Sequence, residues 1–439
     1  MTNDFEERLS ARPAAVPTGR VQRLWRMGSS AARVGAGLLR ADGRQQAEAI
    51  ARSLAELKGL AMKAGQMLSY VDAAVPPELQ EVLKALQRAA QPSPWPQVEA
   101  QLRASLGARA DVLLPSLERT PVAVASIGQV HRASLPDGTA VAVKVRHPGI
   151  ERALEGDFRT AASGTALAAF LLPVGVTVDG FVHEARSMLL AECDYQREAA
   201  HQARFAALLA GDGALRIPRV LAEYCGPAVL TSEWSSGLRF EAFRESAGQA
   251  ERDRAGEALF RFHVGSLYQH GLFHADPHPG NYAFAADGGV VVYDFGCVRA
   301  FPRATVVALA RCADAVRADD LPRAFAALSA VGATPPQSQA ERDAMRALLR
   351  GFFCTLLTPG RRRFDVGAFA GARNLFEDKR RLMNLRLPPE MLFLFRLRFG
   401  LFSVLQQLGA EADWAQLERD WSGASLLYGT VACETPAEP

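Results

Sequence analysis

The chain has 439 residues, 49% of them hydrophobic, enough to build two or three cores. A formal net charge of +3 is too small to argue for a nucleic-acid partner. The six cysteines are scattered with no Cys-x-x-Cys pair, which speaks against disulfides and zinc and for a reducing, cytoplasmic compartment.

The first residues carry Asp4, Glu6 and Glu7 and no apolar segment, unlike a secretory signal. Arg20-Val-Gln-Arg-Leu-Trp-Arg26 through Arg40 is basic and weakly amphipathic, suited either to a membrane surface or to a helix packed on the core. An amphipathic helix is predicted from about Gln45 to Val71 and contains Lys63-Ala-Gly65-Gln66. Pro92-Ser-Pro-Trp-Pro96 then reads as a linker.

Strands follow. Thr120–Ser134, the turn Pro136-Asp137-Gly138 and the alternating Ala140-Val-Ala-Val-Lys144-Val predict a hairpin. A lysine ending such a strand is the residue type that holds α- and β-phosphates, although alone it reads as a solvated edge. The preceding loop, Ala123-Val-Ala-Ser-Ile-Gly-Gln-Val-His131, has a single glycine where a nucleotide loop is usually glycine-rich. Its candidate nucleotide contacts are Ala123, Ala125, Ser126, Gln129 and Val130, and alanine should make it stiffer. Residues 160–178 lack charge, but Ala, Gly and Thr dominate them and Pro173 and Gly175 interrupt them, which argues against a membrane span.

A long helix is predicted from Asp179 to Leu209, carrying Glu192, Asp194 and Glu198. Six residues at helical spacing amount to about 600°, so Glu192 and Glu198 should point roughly 120° apart. Glu198 is assigned to Lys144, leaving Glu192 and Asp194 for another cation. The strand Ala228–Trp234 ends at a hinge-like seam, where Glu233 is placed beside an adenine.

The most specific pattern comes next: His274-Ala-Asp276, then Asn281, then Asp294-Phe-Gly296. Phosphoryl transfer needs a carboxylate beside the acceptor, and an amide oxygen plus a second carboxylate to hold Mg²⁺. Asp276, Asn281 and Asp294 supply them in that order, with Asn281 and Asp294 as the metal ligands and ATP as the nucleotide. After Phe301 the pattern is helical to about Trp421, with no long activation segment and no Ala-Pro-Glu signature, unlike an ordinary protein kinase. Glu434–Pro439 reads as a disordered tail.

Together, Lys63-Ala-Gly65-Gln66, Ser126-Ile-Gly-Gln-Val130, Val141-Ala-Val-Lys144, Glu192-Cys-Asp194, His274-Ala-Asp276-Pro-His-Pro-Gly-Asn281 and Asp294-Phe-Gly296 resemble the UbiB family of atypical protein-kinase-like proteins, the AarF or ADCK group. The resemblance covers roughly residues 45 to 300. It implies an α+β, bilobal kinase-like fold: a helical N-terminal extension (1–95), a nucleotide-binding small lobe (96–234), a helical large lobe (235–422) and a tail (423–439). It also implies that Lys63 and Gln66 approach Glu192 and Asp194 in a regulatory lid over the active site. The implied activity is that of an ATPase or unorthodox kinase supporting isoprenoid-quinone metabolism, with a quinone-pathway lipid or protein as partner and peripheral membrane contact. Val124 and His201 depart from the family pattern, and Val124 bears on the loop's phosphate geometry. Two other readings stand beside it: a small-molecule phosphotransferase of the aminoglycoside or choline kinase type, and a non-catalytic nucleotide-dependent scaffold. The first would not be expected to carry Lys63–Gln66 or Glu192-Cys-Asp194.

Overall fold

Alternation builds the small lobe. In the computed structural model, which describes residues 92–125, 127–152, 154–155, 190, 192–364 and 389–427, the strand Ala140–Arg146 buries Val141, Val143 and Val145 on one face. These valines pack against Val98, Leu102 and Leu106 of helix α1 (Trp95–Leu106) and against Leu113 of the short α2 (Ala110–Leu113). The opposite face of the same strand carries Lys144 toward helix α3 (Tyr195–Leu208). Burial of one face thus fixes where the lysine points.

The sheet is antiparallel, in the order β1 (Ala123–Val124), β2 (Gly128–Ser134), β3 (Ala140–Arg146) and, after the short β4 (Leu215–Arg216) of another sheet, β5 (Val229–Glu233). Val130 lies opposite Lys144 and Gln129 opposite Val145. The first pair therefore faces the cleft and the second faces α1.

The segment read as a linker is instead part of this lobe. Pro94 caps α1 and a proline occupies its first turn, where a missing N–H costs nothing. Ser93 donates its N–H to Gln129 Oε1 and bonds His147 through its hydroxyl, tying the approach to α1 to the back of the sheet.

The large lobe surrounds a core rich in phenylalanine and closed by Trp414 and Trp421. After α4 (Phe240–Ser246), helix α5 (Gln249–Phe260) passes through a π-helical turn, Arg261–Gly265, into α6 (Ser266–His270). Two small ladders follow: β6 (Leu272–His274) pairs with β9 (Val298–Ala300), and β7 (Tyr282–Phe284) with β8 (Val290–Val292). Gly288, at φ 84°, turns the second hairpin where a Cβ would lie 2.4 Å from a backbone oxygen of Glu251. The chain enters α7 (Arg303–Arg317) directly after β9, without a long activation segment. Helices α8 (Leu321–Ser329), α9 (Gln339–Phe352), α10 (Cys354–Leu357), α11 (Pro389–Leu408) and α12 (Trp414–Leu427) complete the lobe, with a two-residue ladder between Arg362–Arg363 and Glu411–Ala412. No helix among the described residues is long and apolar enough to cross a membrane. Lys63, Gln66, Ser126, the basic stretch from Arg20 to Arg40, residues 160–178 and the Glu434–Pro439 tail lie outside the described residues.

Candidate active site

Hairpin register brings the two proposed metal ligands together. Tyr282 pairs with Val292, and Tyr293 donates its N–H to the Asn281 carbonyl at 3.0 Å, so Asn281 and Asp294 leave the same end of one ladder. The Asn281 amide donates both to the Asp276 carbonyl and to Asp276 Oδ2, each at 3.0 Å. Its nitrogen is thereby committed and its amide oxygen is the group left for a cation. Asp294 Oδ1 accepts from the Gly296 N–H at 2.9 Å, while Oδ2 meets Lys144 Nζ at 3.1 Å.

Lys144 also bonds Glu198 Oε1 at 2.6 Å, with both side chains largely buried. Burial pulls the Lys144 ammonium down, but Asp294 and Glu198 outweigh it and hold the group well above its ordinary value. Burial likewise drives the Glu198 carboxyl up, to about 7, against the pull of Lys144. One lysine is shared by two acids, so once Glu198 is ionised the cleft carries surplus negative charge. Oxygen donors and surplus negative charge suit a hard divalent cation.

The catalytic loop is held by a chain of bonds whose directions can be deduced. Burial keeps His263 neutral, with its pKa well below the ordinary value. Its Nδ1 faces the His274 carbonyl at 3.1 Å, an acceptor, so Nδ1 carries the proton. Nε2 then accepts from the Tyr282 hydroxyl at 2.7 Å. By the same logic His274 Nε2–H donates to the Asp294 carbonyl, and its Nδ1 accepts the Asp276 N–H at 3.4 Å. The π-helical turn that buries His263 thus fixes the strand before Asp276 and the residue bearing the Asp294 carboxylate. The 274–294 pattern was visible in the sequence. His263 and Tyr282 were not singled out, because nothing local marks them.

Several expectations need correction. The helix predicted from Asp179 to Leu209 is interrupted before Tyr195: Asp194 is extended, and its Oδ1 caps α3 by accepting the Gln196 and Arg197 N–H groups at 3.0 and 3.2 Å. The 120° divergence of Glu192 and Glu198 therefore does not apply. A Cβ on Gly296 would lie 3.3 Å from Asp294 Oδ1, 3.5 Å from Glu192 Cγ and 3.6 Å from Glu198 Oε2, so all three acids border that glycine. Glu192 is buried whereas Asp194 is exposed, so they are not a buried acidic pair.

Gln129 is also misplaced by sequence reasoning. It is 1% exposed on the α1 side of the sheet, where its amide nitrogen reaches His131 Nε2 at 2.8 Å. Its side chain cannot face a nucleotide on the Lys144 side. Val130 does share the Lys144 face, and Ala123 and Ala125 border the turn that Ala125 closes with its N–H to the Gly128 carbonyl at 2.7 Å. At Glu233 both the N–H and the carboxylate turn to Arg219, each at 2.9 Å, so neither is directed at an adenine.

A family model described as the ABC1 atypical kinase-like domain matches residues 85–326. The chain is 28% identical to "Atypical kinase COQ8, mitochondrial" of Saccharomyces cerevisiae, over 95% of this chain and 88% of that protein. Against "Atypical kinase COQ8B, mitochondrial" of Rattus norvegicus the identity is 34%, over 58% of this chain and 48% of the relative, so the match spans about half the length of that protein. Among solved structures, Rv3197 of Mycobacterium tuberculosis, determined in complex with erythromycin, is 30% identical. It aligns over 84% of this chain and 93% of its own, with a TM-score of 0.58. The chain therefore belongs to the ABC1 atypical kinase-like family, the UbiB, AarF or ADCK group, and has its kinase-like α+β fold.

Proposed function

We propose that this chain binds Mg-ATP between its lobes and acts as a UbiB-type atypical kinase or ATPase in isoprenoid-quinone metabolism of the ubiquinone type. The observation that carries the reading is the convergence of four segments: Lys144 bonds Glu198 and Asp294, while Asn281 bonds Asp276. Lys144 holds phosphate oxygens and Glu198 orients it. The Asn281 amide oxygen and the Asp294 carboxylate hold Mg²⁺, which when bound neutralises phosphate charge. Asp276 stands beside the acceptor, or beside water if hydrolysis is the output. Ala123, Ala125, Ser126 and Val130 form the cover over the nucleotide.

The quinone-pathway assignment rests on kinship with the COQ8 proteins, whose names describe mitochondrial atypical kinases. On the same kinship, Lys63 and Gln66 fold over the cleft near Glu192 and Asp194. Such a lid would favour small or membrane-presented acceptors over generic proteins, with the chain peripheral at the membrane surface. The test is ATP turnover by the purified full chain, with and without anionic liposomes and quinone-like head groups. Turnover that rises with either addition and is lost in Asp294→Asn supports the reading. Vigorous phosphorylation of generic proteins, indifferent to both additions, overturns it.

A further inference from the structure

Beneath the single glycine of the nucleotide loop lies a hydroxyl that the kinase reading does not use. Tyr195 opens α3 directly after the Asp194 cap, and its side chain is wholly buried among Ile127, Ile150, Leu154, Cys193 and Leu230. Its ring lies 5.1 Å from Lys144 Nζ, giving the ammonium a third neighbour besides Glu198 and Asp294. Among the described residues, its hydroxyl has no hydrogen-bond partner. A buried hydroxyl left without a partner is unfavourable, and phenylalanine would fill the same volume without that cost. Packing therefore does not explain the oxygen.

Gly128 supplies the second observation. Its φ is not positive, so its backbone does not demand glycine. A Cβ there would lie 2.3 Å from the Tyr195 hydroxyl and 2.7 Å from the Val145 carbonyl. Glycine makes room for the hydroxyl itself against the nucleotide loop, on the sheet face that carries Lys144.

We propose that Tyr195 is a further nucleotide-binding residue, whose hydroxyl donates a hydrogen bond to a phosphate oxygen of a nucleoside di- or triphosphate held by Lys144. A neutral donor suits this position, since a second cation would compete for the two carboxylates already shared by Lys144. The inference rests on the nucleotide-binding reading above and adds a ligand to it.

The test is Tyr195→Phe in the full chain, with Mg-ATP, Mg-ADP and adenosine titrated calorimetrically and melting temperature followed alongside. Loss of a hydrogen bond to a charged group predicts about a tenfold weaker affinity for Mg-ATP, Mg-ADP or both. Adenosine binding and the melting temperature of the free protein should stay unchanged, or the latter rise. Equal affinities in parent and variant for both phosphorylated ligands would overturn the proposal and leave the nucleotide reading standing. A uniform loss that includes adenosine, with a lower melting temperature, would assign Tyr195 a packing role and also overturn it. Failure of the parent chain to bind any nucleotide would remove the broader reading and this one with it.

Discussion

Two buried ion pairs, one in each half of the molecule, are built on opposite principles. In the large lobe Arg398 meets Glu418, with side-chain exposures of 4% and 0%. Thr355 donates to Glu418 and accepts from Arg398, and the Tyr268 hydroxyl reaches Glu418 Oε1 at 3.3 Å. The rings of Phe352, Phe353 and Phe402 lie 4.6, 5.5 and 5.4 Å from the guanidinium carbon. Charges cancel, and helices α6, α10, α11 and α12 are tied at one point. In the cleft, by contrast, Lys144 is shared by Glu198 and Asp294, with Glu192 bordering Gly296. Glu198 Oε2 and the Tyr195 hydroxyl are buried there without hydrogen-bond partners among the described residues, as is Arg398 Nε in the large lobe, so the balance of charge is what separates the two sites. A balanced network holds a fold, whereas an unbalanced one is poised for a ligand that completes it.

Breaking the balanced pair should have the largest effect. Arg398→Met leaves Glu418 buried and uncompensated, at an expected cost of about 3–5 kcal/mol in denaturant unfolding. Adding Glu418→Leu should recover much of that loss, because both charges are then gone. A single variant as stable as the parent would show that the pair is not an anchor.

The unbalanced site should respond in function rather than in stability. Asp294→Asn removes one of two carboxylates competing for Lys144, so the fold should survive. Mg²⁺-dependent nucleotide binding should fall by about a hundredfold or more, as expected for losing a charged metal ligand. Mg-ATP affinity equal to that of the parent would remove Asp294 from the site.

Between these extremes stands the relay from Tyr282 through His263 to the catalytic strand. Tyr282→Phe strips the donor from buried His263 Nε2, at about 1–3 kcal/mol. Turnover should drop further than Mg-nucleotide affinity, since the relay positions the strand before Asp276 and not the phosphate contacts. Unchanged turnover with reduced stability would limit the relay to folding.

What could be read from the sequence follows the range of each interaction. The His274-to-Asp294 pattern was legible because one short, continuous stretch of chain carries it, from the end of β6 through the β7–β8 hairpin. Lys144 and Glu198 were paired correctly from a strand end and a helix, although 54 residues separate them. The interruption at Asp194 was missed because the apolar period continues through it, and only the capping bonds to Gln196 and Arg197 reveal it. Gln129 was placed in the cleft because strand alternation gives two faces without saying which is inward. The register against β3 decides it. His263, Tyr195 and Arg398 gain their roles from contacts between distant segments, for which no local residue pattern exists.

The smallest predicted effect sharpens the contrast through pH. Glu198 is raised from an ordinary value near 4.5 to about 7, chiefly by burial. Between those values the folded protein binds more protons at this site than the unfolded chain does, so stability must fall as pH rises. The contribution of the protonated form is complete below about 4.5 and is lost as pH passes through about 7. Glu198→Gln mimics the protonated form at every pH. At pH 4, below the ordinary value, the variant and the parent, both free of ligand, should melt together. At pH 8 the variant should be more stable, by on the order of 1–2 kcal/mol once coupling to Lys144 and Asp294 is allowed for. The Arg398–Glu418 network pairs one acid with one base, so Glu418→Gln should be destabilising. A Glu198→Gln variant less stable than the parent at pH 8 would mean that Lys144 outweighs burial and that the cleft pair is as well balanced as its counterpart in the large lobe.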